Sequence, residues 1–235
     1  SISLMTTTNQ PDENTAADYV GTEFCSEFHK RDISNFFKTA LDQCCVISGV
    51  DRRTPIADGN IKARMRMLML YDTASINKGI VLDCDQLSEH YLGFWTIHGD
   101  ESDLSVIGGL WKHEVYEFAQ WMLDNKYPDS LALRASVALI PTDGNGVQAG
   151  GDMAQIAPGH TYDDVDDILM TYFEYLGHHT EEYQIAIEEL YEKYSYETVT
   201  RVIKRYRSSQ FKRYHRPFTI DIESGEIRQN SGDNL

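Results

Sequence analysis

The sequence predicts an α/β protein: a parallel sheet flanked by helices, with a helical C-terminal part. Three observations carry the prediction. Gly79-Ile80-Val81-Leu82 is a short apolar, β-branched run of the kind that fills a buried parallel strand. Apolar residues on either side of it recur at helical spacing. Acidic residues follow the run at once, where open α/β sheets place their ligand crevice, just beyond the carboxyl ends of the strands.

Taken in order, Ser1-Ile2-Ser3-Leu4-Met5 reads as a strand, and the polar run from Thr6 to Glu13 as the loop after it. No start methionine precedes that strand, so a segment before it is expected to be missing. From Asp12 to His29, Ala16, Ala17, Val20, Phe24 and Phe28 share one helical face. Asp32 is placed to cap a second helix with its stripe at Ile33, Phe36, Phe37, Ala40, Leu41 and Cys44, and this pair would cover the sheet. Asp51 to Gly59 is a polar, proline-containing connector suited to a mobile segment. The helix after Asn60 carries Lys62, Arg64 and Arg66, with Ala63, Met67, Leu70 and Tyr71 marking its buried side. Residues two apart point to nearly opposite sides, so Arg64 and Arg66 cannot both face one ligand, and an ordinary solvated basic face also accounts for them.

After Leu82 the polarity flips to Asp83, Asp85 and Glu89. Carboxylates there are candidates for a hard cation such as magnesium, bound through one or two side chains plus substrate phosphates. A helix beginning near Asp85 would put Glu89 on the same face. Acidic residues at a strand-to-helix junction are also ordinary N-caps, and spacing alone leaves both readings open. His98 to Asp103 reads as a loop over the crevice. Gly108-Gly109 lets the backbone turn tightly before Lys112 opens a helix, where an ammonium and N-terminal amides could meet phosphate. On that helix Tyr116, Phe118, Ala119 and Met122 are packing positions, and Tyr127-Pro128-Asp129 ends it and starts a short one.

Pro141 to Pro158 is glycine-rich and reads as a surface loop or lid. Thr161 is a capping residue with Asp164 at the capping-box position; Asp163, Asp164, Asp166 and Asp167 suit the helix dipole and are not assigned as a metal cluster. His178-His179 reads as an exposed turn, without a metal. Tyrosine-rich helices follow, through Leu190 and from Tyr196 to Tyr206, suited to a subunit interface or to core packing. Basic residues then accumulate from Arg201 to Arg216, an anion-binding candidate in an acidic chain. Phe218 to Ile222 is the last expected strand, giving one domain over 1–222 and a disordered tail over 223–235.

The 235 residues, 41% of them hydrophobic, can bury one substantial core. A net charge of −16 argues against a nucleic-acid surface, which works by neutralising phosphates with cations. No apolar run approaches a membrane span and no basic-then-apolar leader is present, so neither a membrane nor export is expected. The four cysteines lack metal-ligand spacing and suit a reducing cytoplasm.

The order Asn60-x-x-Ala63-Arg64-x-Arg66, Asp85-x-x-x-Glu89, Gly99-Asp100, Asp103-Leu104 and Gly109-Leu110-x-Lys112-x-Glu114-Val115 resembles ammonia-dependent NAD synthetase. Thr161 to Leu169 resembles that family's T/S-Y-x-x-I/V-D-x-I/L stretch, and Phe211-Lys212-Arg213 with Pro217 its H/F-K-R-x-x-P. The resemblance implies an adenine-nucleotide-hydrolase-like (Rossmann-like) fold, and a ligase forming a C–N bond. It would amidate nicotinic acid adenine dinucleotide (deamido-NAD) with ATP and free ammonia through an adenylated carboxylate, as a homodimer. It also implies roles: Glu89 as magnesium ligand; Lys112, Cys84 and Thr142 toward ATP; Arg64, Asp103 and Lys212 toward the dinucleotide; Asp85 and Asp100 as further candidates in the same loops. No residue is assigned as a nucleophile.

The chain departs from the family at several places. Asp83 and Cys84 stand where Gly-Thr is common, Ile97 where many members have lysine, and Glu101-Ser102 where a glycine pair is usual. The family's Ser-Gly-Gly-x-Asp-Ser pyrophosphate loop is not found; Ala149-Gly150-Gly151-Asp152 lacks both serines. An N-terminal truncation is the expected reason, and the isolated segment would then lack most of the amide donors for pyrophosphate. The alternatives are a non-catalytic nucleotide-binding or assembly subunit, or another carboxylate-adenylating ligase of the superfamily.

Overall fold

The computed structural model describes residues 2–5, 11–49, 54–139, 153, 156–175, 181–213, 219–220 and 227–228. Thr142, Gly150-Gly151 and His178-His179 lie outside them.

Parallel strands need a crossover between them, and here helices supply it. Strand β1 (Ile2–Met5) pairs in parallel with β2 (His29–Asp32), Ile2 opposite His29, with α1 (Pro11–Phe24) between them. Strand β3 (Leu82–Asp83) pairs in parallel with β4 (Leu104–Ser105), with α4 (Leu87–Leu92) between them. The remaining helices are α2 (Ser34–Ser48), α3 (Pro55–Asn77), α5 (Lys112–Asn125), α6 (Leu131–Ala138), α7 (Tyr162–Glu174), α8 (Glu181–Tyr194) and α9 (Tyr196–Ser208). The protein is a mostly helical α/β fold with little sheet. No helix among the described residues is long and apolar enough to cross a membrane.

Several boundaries differ from the sequence reading. The first helix stops at Phe24, and His29 to Asp32 is a strand instead of a helix end and a cap. Its residues, His-Lys-Arg-Asp, have no apolar alternation, so only pairing with β1 makes them a strand. Asp32 still serves the next helix, because its Oδ1 accepts the Ser34 amide at 2.9 Å. Helix α3 starts at Pro55, inside the expected connector: Thr54 caps it by accepting the Ala57 amide, and a proline in the first turn loses no helical hydrogen bond. Lys62, expected on a solvated face, is buried with its ammonium over the Phe37 ring.

The apolar run before Asp83 is not a fully buried strand. Val81 is 7% exposed, whereas Ile80 and Leu82 are 60% and 57% exposed, so one face is in and the other out. Phe118, expected to pack, is exposed on α5 and stacks on Trp121 at 6.1 Å. Within the expected tail, Ile227–Arg228 (β6) pairs antiparallel with Thr219–Ile220 (β5).

The core lies among α7, α8 and α9, where Val165, Ile168, Leu169, Val199 and Val202 are fully buried together with Leu92 of α4. Burying such side chains stabilises by about 1.5–3 kcal/mol each. The C-terminal helices thereby grip α4: Arg205 Nε donates to the Leu92 carbonyl at 2.6 Å, and Ser209 Oγ to the Tyr91 carbonyl at 2.9 Å.

Candidate functional site

A helix starts with amide groups that have no partner within it, and the start of α4 satisfies them locally. Gln86, 1% exposed, caps the helix: its Oε1 accepts the Ser88 amide at 2.7 Å and the Glu89 amide at 3.2 Å. Glu89 returns the favour, its Oε2 accepting the Gln86 amide at 3.4 Å. That leaves Glu89 Oε1 for the ammonium of Lys112, at 3.1 Å, with both side chains more than four-fifths buried. Lys112 opens α5 as expected, and the Leu110 carbonyl accepts the Leu87 amide at 2.8 Å, drawing the two helix starts together. Asp85 precedes the cap, so it does not share a helical face with Glu89.

The start of α5 is satisfied in a way the sequence did not predict. Ser88 Oγ accepts the Lys112 amide at 2.9 Å, and Asp166 Oδ2 accepts the His113 amide at 3.1 Å. Those two amides are therefore already satisfied, and Lys112 brings its ammonium to the Glu89 carboxylate.

Beside this pair a cavity of about 610 Å³ opens, lined by Tyr71, Asp85, Gln86, His90, Trp95 and Gly108 among others. Burial, reinforced by the charges of Glu89, Asp100 and Asp83, pushes the Asp85 carboxyl up to about 8 against an opposing Lys112. Burial also raises Asp100, although the Thr96 amide donates to its Oδ2 at 2.6 Å and Arg66 and Lys212 oppose the shift. Converging carboxylates of this kind are relieved by a hard cation, and oxygen donors suit magnesium. No group of three His, Cys, Asp or Glu among the described residues is arranged to hold a metal; Glu89 and Asp85 supply oxygen donors of the hard-cation class.

Neither Glu89 and Lys112 nor the other predicted residues Arg64, Cys84, Asp103 and Lys212 are among the residues lining that cavity. Arg64 is exposed, its Nε donating to the Ile97 carbonyl at 3.2 Å. Asp103 holds backbone: its Oδ2 accepts the Val81 amide at 2.9 Å. Lys212 Nζ donates to the Gly93 carbonyl at 2.6 Å and to that of Trp95, and sits 5.7 Å from the Trp95 ring. Burial and then Arg205 lower its pKa, with Asp100 and Asp85 opposing. Cys84 is exposed.

Sequence reasoning missed Gln86, Ser88, His113 and Asp166. Asp166 is fully buried; it accepts from Ser88 Oγ through Oδ1, and its Oδ2 lies 3.0 Å from His113 Nδ1. One signal was present: Asp166 stands three residues before Leu169, within the buried stripe of Val165, Ile168 and Leu169.

The family model described as NAD synthase matches residues 1–216. The NH(3)-dependent NAD(+) synthetase of Shewanella amazonensis is 36% identical over 112 residues, 47% of this chain and 38% of that protein. That of Wolinella succinogenes is 30% identical over 161 residues, 68% of this chain and 55% of that protein. The chain thus spans about half the length of the curated relatives it matches. Among solved structures, the NMN synthetase of Francisella tularensis superposes with a TM-score of 0.68 at 22% identity, over 90% of this chain and 74% of that one. The NH3-dependent NAD synthetase of Campylobacter jejuni does so at 0.63 and 20%, over 94% and 78%. At such identities these two likenesses speak to fold.

Proposed function

The chain belongs to the NAD synthase family, and from that premise we propose that its protein amidates nicotinic acid adenine dinucleotide to NAD with ATP and ammonia. The substrate carboxylate attacks the α-phosphorus of ATP, forming a carboxyl adenylate as pyrophosphate leaves. Ammonia then adds to the activated carbonyl, AMP leaves with the former carboxylate oxygen, and a proton is lost from nitrogen.

The observation that carries this reading is the Glu89–Lys112 pair at 3.1 Å, a carboxylate and an ammonium brought together at two helix starts beyond a parallel strand pair. Phosphoryl chemistry asks for charge neutralisation and positioning more than for a nucleophilic side chain. Lys112 contacts the phosphates, with Cys84 and Thr142 toward the rest of ATP. Glu89 would hold magnesium, which when bound would neutralise charge on the leaving pyrophosphate. Asp85, titrating at about 8, stays largely protonated at neutral pH and spares the approaching polyphosphate a negative charge. Arg64, Asp103 and Lys212 hold the dinucleotide, and Asp100 orders the Thr96 turn beside it.

A single domain over 1–222, a homodimer and a cytoplasmic setting complete the reading; the composition and spacing of the cysteines suit the last. The test is turnover by the complete polypeptide with ATP, magnesium, ammonium and the dinucleotide. NAD and AMP are expected in equal amounts, with kcat/KM about 100-fold lower in Glu89→Gln. Tight nucleotide binding without turnover would point instead to a non-catalytic binding subunit.

A further inference from the structure

Asp166 sits on α7, far in sequence from the cleft, yet its carboxylate is fully buried. A buried carboxylate is costly unless its oxygens are well supplied with donors. Three are in place: Ser88 Oγ on Oδ1, with the His113 amide at 3.1 Å and His113 Nδ1 at 3.0 Å on Oδ2. Ser88, also fully buried, in turn accepts the Lys112 amide at 2.9 Å.

These contacts join three helices at one point. Ser88 immediately precedes Glu89 in the first turn of α4, and Lys112 and His113 are the first two residues of α5. The carboxylate on α7 therefore fixes where the two helix starts meet, and with them the 3.1 Å separation of Glu89 Oε1 and Lys112 Nζ. Neither His113 nor Asp166 has been given a part in the chemistry above.

We propose that Asp166 is a positioning residue for phosphate binding: through Ser88 and His113 it holds Lys112 and Glu89 in register for the polyphosphate of a nucleoside triphosphate. This rests on the assignment of Lys112 and Glu89 in the proposed function. Asp166→Asn keeps the shape of the side chain but loses the second acceptor. An amide nitrogen facing Ser88 reverses that hydrogen bond, and one facing His113 meets two donors.

The test uses the complete polypeptide, measuring magnesium–ATP binding by calorimetry together with kcat and the KM for each substrate. Asp166→Asn is expected to weaken magnesium–ATP binding and raise the KM for ATP about 10-fold or more, with the KM for ammonia little changed. His113→Asn, whose amide can donate from the place of Nδ1, is expected to stay near wild type, and His113→Ala to move the KM for ATP upward. A merely structural role would lower kcat through a smaller folded fraction and leave the KM for ATP in place. That result, with wild type active, overturns the proposal. Should Asp166→Asn fail to fold, Ser88→Ala and His113→Ala each remove one arm of the network, and an unchanged KM for ATP in both overturns it equally. A wild-type protein that neither binds magnesium–ATP nor turns over would sink the functional reading itself, and this proposal with it.

Discussion

At the scale of the residue, the cleft is defined by what its charges do to one another. Asp85 is half-buried beside Glu89, Asp100 and Asp83, and desolvation with their charges puts its folded pKa at about 8, well above the 3.8 of an unperturbed carboxyl. The folded state thus holds a proton that the unfolded chain releases. Stability from this group is fully present below about pH 4 and is lost as pH rises through about 8. Without divalent cation, calorimetric melting temperatures should therefore fall between about pH 4 and pH 8, and Asp85→Asn should flatten that fall. At pH 9 the variant is expected to melt on the order of 5 °C above wild type, with little difference at about pH 4. An identical pH dependence in both proteins would mean that Asp85 is not in the environment described.

At the scale of the element, α4 is the short helix on which the site depends, and its end is as constrained as its start. Gly93 closes it in the left-handed conformation, φ +67, and a Cβ built there would lie 2.5 Å from Ser209 Cβ and 3.2 Å from Lys212 Cδ. Gly93→Ala combines left-handed strain with overpacking, and denaturant melts should show a loss of about 2–4 kcal/mol. A change below about 0.5 kcal/mol would show that the Ser209 contact is loose. Elements of this sort were partly legible in sequence. The starts of α5 and α7 were, because Lys112 follows a glycine pair and Thr161 with Asp164 forms a local capping box. Strand β2 was not, because His29-Lys30-Arg31-Asp32 has no apolar alternation and owes its form to a partner 27 positions away, β1 at Ile2 against His29.

At the scale of the whole molecule, the C-terminal helices build the core and also brace the site. Leu92 is buried among them, Arg205 holds its carbonyl, and Asp166 reaches across to α4 and α5. This explains what the sequence could and could not show. Glu89 and Lys112 stood out because each lies beside a local signal, an apolar strand or a glycine turn. Asp166 did not, because its partners lie 78 and 53 residues away, and the helix dipole already gave its acidic stretch an adequate local reason. Thr142 lies outside the described residues, and its proposed contact with ATP rests on the resemblance alone.

The central claim is that this cleft activates a carboxylate as an adenylate, and isotope transfer tests it most directly. Nicotinic acid adenine dinucleotide labelled with oxygen-18 in the carboxylate would be turned over by the complete polypeptide with ATP, magnesium and ammonium, and the AMP weighed by mass spectrometry. One labelled oxygen in each AMP, with the rate of its appearance falling in Glu89→Gln and Lys112→Met, is the result predicted. AMP free of label, formed while NAD accumulates, would mean that the carboxylate never bonds to the α-phosphorus, and the account would be wrong at its centre.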